Sequence, residues 1–515
     1  MKKEKKQKVQ RVINIILFFL FLILIYFSIF VNKKFNNISF EQLLYNVVNT
    51  EGANYDIVLT GSIFVFMRVL LIVLILYVFY KLYKLININI YFKVSINNKI
   101  FNFNILKSTL VKETIITLIF VIFSLFYINK MLNIVEFIKC QISSSEIFEE
   151  YYVDGKDIEI KFPDKKRNLI YIYAESMEAT NFSKENGGLI EESYIPNLEK
   201  LALNNISFSN TDKLGGALPI NNTTWTIAGL IAHTAGVPLK LSIDGNEYDG
   251  YGKSVPGTYT LGDILSDNGY NNYFLIGSDA RFGGRKNYFE NHGSYTIYDY
   301  YYAIENKYIE DDYHVWWGYE DKKLFKYAKE KILEAADKDE PFNFTLLTVD
   351  THFTDGYMDS SCENVFDTKY ANSLYCSDQK IYSFVKWIQK QDFYDNTTII
   401  ISGDHLTMQD NFYEENDEYQ RTIYNTFINS SVEPKNEKNR LYSSFDMFPT
   451  TLAALGVEIE NNKLGLGVNL FSSEETLIEK LGYEYLNNEI IKKSFYYDNK
   501  ILGDTYYKMK EKVEK

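Results

Sequence analysis

Three apolar stretches in the first quarter of the chain constrain its fold more than any other feature. The first, Val12 to Val31, is broken only by Asn14, Tyr26 and Ser28. About 20 apolar residues in a helix reach across roughly 30 Å of hydrocarbon. A cleaved signal peptide would end in a small-residue cleavage site, whereas Asn32, Lys33, Lys34 and Phe35 follow here. The segment therefore reads as a retained transmembrane helix over 12–31, followed by spans over 57–80 and 114–132. The first span is preceded by Lys2, Lys3, Lys5, Lys6, Lys8 and Arg11, and the loop between the second and third spans carries Lys81, Lys84, Lys93, Lys99, Lys107 and Lys112. The excess of basic residues places both segments in the cytoplasm and everything after the third span outside. Arg68 inside the second span has two readings, a snorkelling side chain or a contact to a lipid phosphate.

The apolar residues are concentrated in that anchor, so the mean hydropathy of −0.20 conceals a polar globular remainder. A hydrophobic content of 46% excludes a disordered chain. The net charge of −13 argues against a general nucleic-acid partner. Three cysteines are too few for a disulfide scaffold or a multi-cysteine zinc module. Cys362 and Cys376 fall outside in this topology, where an oxidising compartment allows them to staple the short loop between them. The layout expected is a membrane anchor over 1–132, a stem over 133–165, a catalytic body over 166–475 and a small C-terminal subdomain over 476–515.

Within the body, short β-forming runs alternate with helical patterns. Strands are expected at Asn168–Ala174, Tyr273–Gly277, Phe342–Val349 and Thr397–Ser402. Helices are expected from Ile195, from Thr260, over Asp321–Ala336 and over Gln379–Gln391. This alternation argues for an α/β domain with a mostly parallel sheet. In such sheets, polar groups just past the carboxyl ends of the strands form the ligand site. Glu175, the Asp350–His352 segment and the pair Asp404–His405 all occupy that position. An apolar strand that runs into Asp-His brings together a carboxylate and an imidazole, both ligands for Mn, Zn or Mg-type ions.

The stretch Asn221–Leu239 supplies a candidate nucleophile. Thr223 or Thr224 is placed to cap a helix that runs to Gly236. A hydroxyl there faces unpaired N–H groups that favour a phosphate and an alkoxide. The plain alternative is an ordinary capping threonine.

Five stretches together carry a resemblance: NLIYIYAES (168–176), TTWTIAGLIAHTAGVP (223–238), GSDARFGGRKNYFENHG (277–293), TVDTHFTDG (348–356) and ISGDHLTM (401–408). With Asp446–Leu452 in weaker support, they make the chain resemble the lipoteichoic acid synthase and phosphoglycerol transferase I families of the alkaline phosphatase/sulfatase superfamily. The resemblance implies a sulfatase-like α/β domain behind an N-terminal membrane anchor. It implies one divalent ion, Mn first and Mg or Zn as alternatives, held by Glu175, Thr223, Asp404 and His405, with Thr223 as the nucleophile. Arg285 and His352 take the family's substrate-contact positions, where they grip phosphate oxygens or move a proton. The implied reaction moves phosphoglycerol from phosphatidylglycerol to an extracytoplasmic glycan through a phospho-threonine. The implied location is a bacterial inner membrane, multi-pass, with the catalytic domain outside. The partners are the lipid donor, the glycan acceptor and the bilayer. Lipoteichoic acid synthases carry a tryptophan two residues before the arginine. Gly283 stands there in this chain, which favours the glucan-modifying branch.

Two alternatives come with this reading: a phosphoethanolamine transferase, and a catalytically inactive lipid-binding receptor. Sulfate-ester chemistry needs a C/S-x-P-x-R frame, and Trp225 and Ile227 stand where its Pro and Arg would be. His233 reads as a packed helical histidine and His292 as a turn residue beside Gly293. His314, Trp316 and Trp317 either floor a sugar pocket or form core. Tyr251, in the Asp249–Lys253 loop, is a candidate acceptor contact.

Overall fold

The computed structural model describes residues 2–35, 38–48, 55–86, 91–96, 99–104, 110–240, 254–409, 412–413, 416 and 418–503. Tyr251 and its loop lie outside the described residues. The chain divides into two compact units.

The first unit comprises residues 1–40 and 54–137. It contains α1 (Lys2–Phe35), α3 (Tyr55–Ile86) and α4 (Leu110–Leu132). Between them in sequence, α2 (Phe40–Val48) belongs to the second unit from Glu41 onward. Among the described residues, α1, α3 and α4 are long and apolar enough to cross a membrane. Asn14 Nδ2 donates to Thr114 Oγ1 at 3.0 Å, and Phe18 packs on Phe120, joining α1 to α4. The Arg68 guanidinium lies 4.7 Å from the Phe64 ring centroid. A hairpin, Tyr91–Ile96 with Lys99–Asn104, follows α3.

The second unit is built on a six-stranded sheet. Its strands are β1 (Asn168–Ala174), β2 (Asn271–Ile276), β3 (Thr296–Tyr298), β4 (Phe342–Leu347), β5 (Thr397–Gly403) and β6 (Asn425–Ile428). Their spatial order is β3-β2-β4-β1-β5-β6. All neighbours run parallel except β6, which is antiparallel to β5. The three central strands are buried almost throughout, as parallel strands covered on both faces require. That is why β1 and β5 carry apolar runs, while β4 alternates with the buried polar Asn343 and Thr345. Two apolar clusters include alternate β1 residues, with Leu169, Tyr171 and Tyr173 in one and Ile170, Ile172 and Ala174 in the other.

Several helices matter for the site: α5 (Thr226–Ala235), α6 (Arg285–Asn291), α7 (Asp321–Ala336) and α8 (Lys369–Ile388). α8 begins ten residues earlier than the Gln379 start expected from sequence. Thr368 caps it by accepting from Ala371 N, and its polar first turns are buried. Cys376 therefore lies on a helix, and its disulfide to Cys362 ties a loop to α8. The β4 strand stops at Leu347, two residues before Val349. The edge strands β3 and β6 were absent from the sequence reading. Residues 138–165 pack within the second unit, with Ile147 and Phe148 buried and Ile160 paired to Ile459. Helices Leu477–Leu481 and Tyr483–Ile490 and a π-helical turn at Tyr497–Ile501 lie in the described C-terminal part.

His233, on α5, is fully buried against Tyr171 and Tyr173, as a packed residue. Burial pushes its pKa down to about 3. The unfolded chain takes up this proton near pH 6.5, and the folded chain takes it up only near 3. Histidine linkage is therefore silent above about pH 6.5 and costs stability as pH falls below it. At about 1.4 kcal/mol per pH unit, the loss at pH 5 is about 2 kcal/mol. We expect His233→Phe to flatten the fall in stability between pH 7.5 and pH 5 by about that amount. Denaturant unfolding of the full chain in detergent reads it, and an unchanged pH slope would refute the assignment.

Candidate active site

The strand register assembles the site. Ala174 pairs with Gly403, the last residues of β1 and β5, so Glu175 and Asp404 leave the sheet side by side. His405 Nε2 lies 3.4 Å from Asp404 Oδ2 and 3.6 Å from Glu175 Oε1. These three residues are buried and offer ligand atoms within 4.8 Å of one another.

The three candidate ligands are held in place by surrounding hydrogen bonds. His405 Nδ1 lies 2.7 Å from Leu406 O, which fixes the Nδ1–H tautomer and leaves Nε2 as the acceptor. Asp404 Oδ1 accepts from Ser176 N at 2.8 Å and His405 N at 3.0 Å, while buried Oδ2 has no hydrogen-bond partner among the described residues. Glu175 Oε1 accepts from Ser176 Oγ at 2.7 Å, and its backbone is pinned by the Thr348 and Thr351 hydroxyls. Burial, then the Glu175 charge, raises the Asp404 pKa to about 7. Burial pulls the His405 imidazole down, but the Asp404 and Glu175 charges outweigh it and raise its pKa. Two buried carboxylates and one imidazole with an open nitrogen fit a hard or borderline divalent cation.

α5 packs against this corner. A Cβ on Gly229 would sit 2.2 Å from Asp404 O, so the helix can approach only because that residue is glycine. The expected capping role of Thr223 or Thr224 is not observed. Trp225 is the N-cap, in an extended conformation, with no side-chain cap bond. Thr223 is buried, and its hydroxyl donates to Ile220 O at 2.7 Å, because Asn222 in the left-handed region folds the chain back into a tight turn. Thr226, which sequence reasoning passed over, lies with its Oγ1 3.4 Å from His405 Nε2. The structure thus brings Glu175, Asp404 and His405 together and adds Thr226, while the Thr223 hydroxyl is engaged with its own turn. The T-x-x-T spacing of 223 and 226 was the one signal available for Thr226.

Arg285 follows β2, at the start of α6. Its Nη2 donates to Asp279 O at 3.0 Å, and its buried Nε has no hydrogen-bond partner among the described residues. Burial lowers its pKa to about 10, against the raising charges of Glu175, Asp279 and Asp404. It remains a cation with an unused donor. His352 follows β4. Its Nδ1 lies 2.7 Å from Phe353 O, and its ring packs 4.6 Å from Trp317, which stacks in turn on Phe282. Burial lowers its pKa to about 4, helped by the charges of His405 and Arg285, so it is neutral at pH 7.

Of the aromatic group left open by sequence, Trp317 faces His352, Trp316 donates to Val349 O, and His314 packs on Tyr300. His292 bridges Asp263 and Ser254 O. Two bracing groups support the site: one around Glu178, which the sequence did not point to, and one around Asp350, which lies in the 350–352 segment expected at a strand end. Glu178 accepts from Arg421 and from Thr407 N behind His405. Asp350, paired with Lys380, and Asp321 hold the β4 loop before His352.

A family model described as Sulfatase matches residues 167–457, more than half of the chain. Phosphoglycerol transferase I of Escherichia coli (strain 536) is 31% identical over 353 residues, which cover 66% of this chain and 44% of the relative. The enzyme of that name from Shigella boydii serotype 18 matches with the same identity and coverage. The chain spans less than half the length of these curated relatives. Among solved structures, a lipoteichoic acid synthase from Listeria monocytogenes is 16% identical with a TM-score of 0.48, over 63% of this chain and 81% of that one. An alkaline phosphatase superfamily protein from Vibrio parahaemolyticus is 22% identical with a TM-score of 0.46, over 59% of this chain and 71% of that one.

Proposed function

We propose, from the premise that this chain belongs to the sulfatase family, that it is a membrane-anchored phosphotransferase that moves phosphoglycerol from phosphatidylglycerol to an extracytoplasmic glycan. Family membership describes the fold here rather than sulfate-ester chemistry, since Trp225 and Ile227 interrupt the C/S-x-P-x-R frame. The observation that carries the reading is the buried cluster of Glu175, Asp404 and His405 at the carboxyl edge of the sheet, with the Arg285 guanidinium in its electrostatic field. The similarity to phosphoglycerol transferase I and the three apolar helices support a lipid donor.

Glu175, Asp404, His405 and Thr223 would hold the divalent ion, with Mn as our choice of metal. When bound, it supplies charge neutralisation at a phosphoryl group. Thr223 Oγ attacks the phosphorus, the bond to the diacylglycerol oxygen breaks, and diacylglycerol leaves carrying the proton. A glycan hydroxyl then attacks the phospho-threonine, its proton returns to Thr223, and phosphoglycerol ends on the sugar. Arg285 grips the phosphoryl oxygens through its unused donor. Neutral His352 offers Nε2 as a second hydrogen-bonding group, and the Trp317–Phe282 wall limits water beside it.

The test is diacylglycerol release by the full chain, with Mn, phosphatidylglycerol vesicles and a mixed glucan acceptor, followed by mass spectrometry. Release with a matching mass gain on the glucan is the expected result. Consumption of phosphatidylethanolamine instead would transfer the proposal to phosphoethanolamine, and turnover of neither lipid would overturn it.

A further inference from the structure

α2 lies in the sequence between the first two apolar helices, where a connecting loop is expected, yet from Glu41 it belongs to the same compact unit as the catalytic residues. Glu41, Gln42, Leu43 and Tyr45 are buried. Tyr45 is 1% exposed and sits in the apolar cluster that contains Trp225 and Ile227. Its hydroxyl donates to Gly283 O at 2.8 Å, and its ring lies 6.0 Å from that of Trp225. One turn earlier, Gln42 Nε2 lies 3.9 Å from Met408 Sδ. Positions three apart share one helix face. That single face therefore touches three segments of the site: the turn between Thr223 and Thr226, the turn before Arg285, and the loop after His405.

The Gly283 contact has a definite mechanical meaning. Gly283 and Gly284 are both left-handed, at φ 65° and 73°, and Arg285 follows directly as the first residue of α6. Two successive glycines make a turn with little conformational preference of its own. The described bond from the Tyr45 hydroxyl to the carbonyl of Gly283 selects one conformation, and through it the direction in which the guanidinium leaves the chain. The arginine is buried with an unused Nε, so its orientation decides whether that donor meets an incoming anion.

We propose that Tyr45 is a positioning residue of the active site, and that α2 thereby makes the stretch between the first two apolar helices a working part of the catalytic unit. The proposal rests on the reading of Arg285 as the phosphate-gripping group. A body that starts after α4 lacks Tyr45 and carries an Arg285 turn without its brace.

The experiment uses the full chain in detergent, loaded with Mn, and sn-glycerol 1-phosphate as the probe, with binding measured by calorimetry beside kcat and KM for diacylglycerol release. Tyr45→Phe keeps the ring against Trp225 and removes only the hydroxyl. We expect it to weaken glycerol phosphate binding about tenfold and lower kcat similarly, with Mn affinity unchanged within about twofold. In a double-mutant cycle with Arg285→Ala, Tyr45→Phe is expected to have no further effect. Additive losses, unchanged glycerol phosphate affinity, or a parallel fall in Mn affinity would overturn the proposal. If wild type binds glycerol phosphate but releases no diacylglycerol, the assigned reaction fails while the binding cycle still decides the role of Tyr45. No glycerol phosphate binding by Mn-loaded wild type would overturn both.

Discussion

Thr223→Ala is expected to reduce diacylglycerol release by at least about a thousandfold, because loss of a covalent nucleophile leaves only binding and electrostatic stabilisation. The structure makes this result more informative than an ordinary knockout. Thr223 donates to Ile220 O, whereas Thr226 lies 3.4 Å from His405 Nε2. If Thr223 is the nucleophile, its hydroxyl exchanges the Ile220 carbonyl for the phosphorus, and Thr226 is a polar neighbour of the cation site. Thr226→Ala should then cost only about ten- to a hundredfold, in the range of outer partners of a metal ligand. Mass spectrometry of enzyme quenched with phosphatidylglycerol alone should find the phosphoglycerol adduct on the peptide containing Thr223 in wild type and in Thr226→Ala. An adduct that survives Thr223→Ala and vanishes in Thr226→Ala would exchange the two roles.

The second large effect concerns the cation. Chelation should abolish turnover and added Mn should restore it. A ligand that binds only the folded state at about a thousand times its Kd stabilises that state by about 4 kcal/mol. Asp404→Asn should remove that stabilisation. The substitution keeps Oδ1 as acceptor for Ser176 N and His405 N and removes the negative charge beside Glu175. The metal-free variant should therefore be at least as stable as metal-free wild type, since a buried like-charge contact has been relieved. Thermal unfolding with and without Mn measures both quantities. An undiminished Mn response in Asp404→Asn would place the cation elsewhere.

Legibility of the fold followed burial. β1 and β5 were readable to within a residue, because strands covered on both faces are written as apolar runs. α7 was readable because one face is core and the other solvent. The start of α8 was not readable, since Asn372, Ser373, Ser377 and Asp378 look like loop residues. In the structure all four are buried and three are bonded: Asn372 accepts from Val365 N and Phe366 N, Ser373 donates to Tyr370 O, and Asp378 accepts from Leu198 N. Polar side chains that face a core break the 3.6-residue pattern on which such readings depend. β6 was missed for the same reason, with Asn425 and Thr426 buried at the antiparallel edge.

The same logic governs the site. Glu175, Asp404 and His405 were readable because each ends an unmistakable strand, and a strand end has a known place. Thr226 left only the T-x-x-T spacing as a signal, and the tertiary contacts of Tyr45 leave no local trace. Tyr45 meets Gly283 across 238 residues of sequence, and nothing around it departs from an ordinary short amphipathic helix.

The pairing of Ala174 with Gly403 has a consequence for the life of the chain before it ever meets substrate. Ser176 N and Asp404 Oδ1 lie 228 residues apart in sequence. No nascent segment holds more than a fragment of the cation site, and the full set appears only after β5 has emerged and docked beside β1. Long-range parallel pairing of this kind forms late and slowly. If the proposed function holds, the cation is captured at the end of maturation, and a partly folded precursor lacks the assembled site.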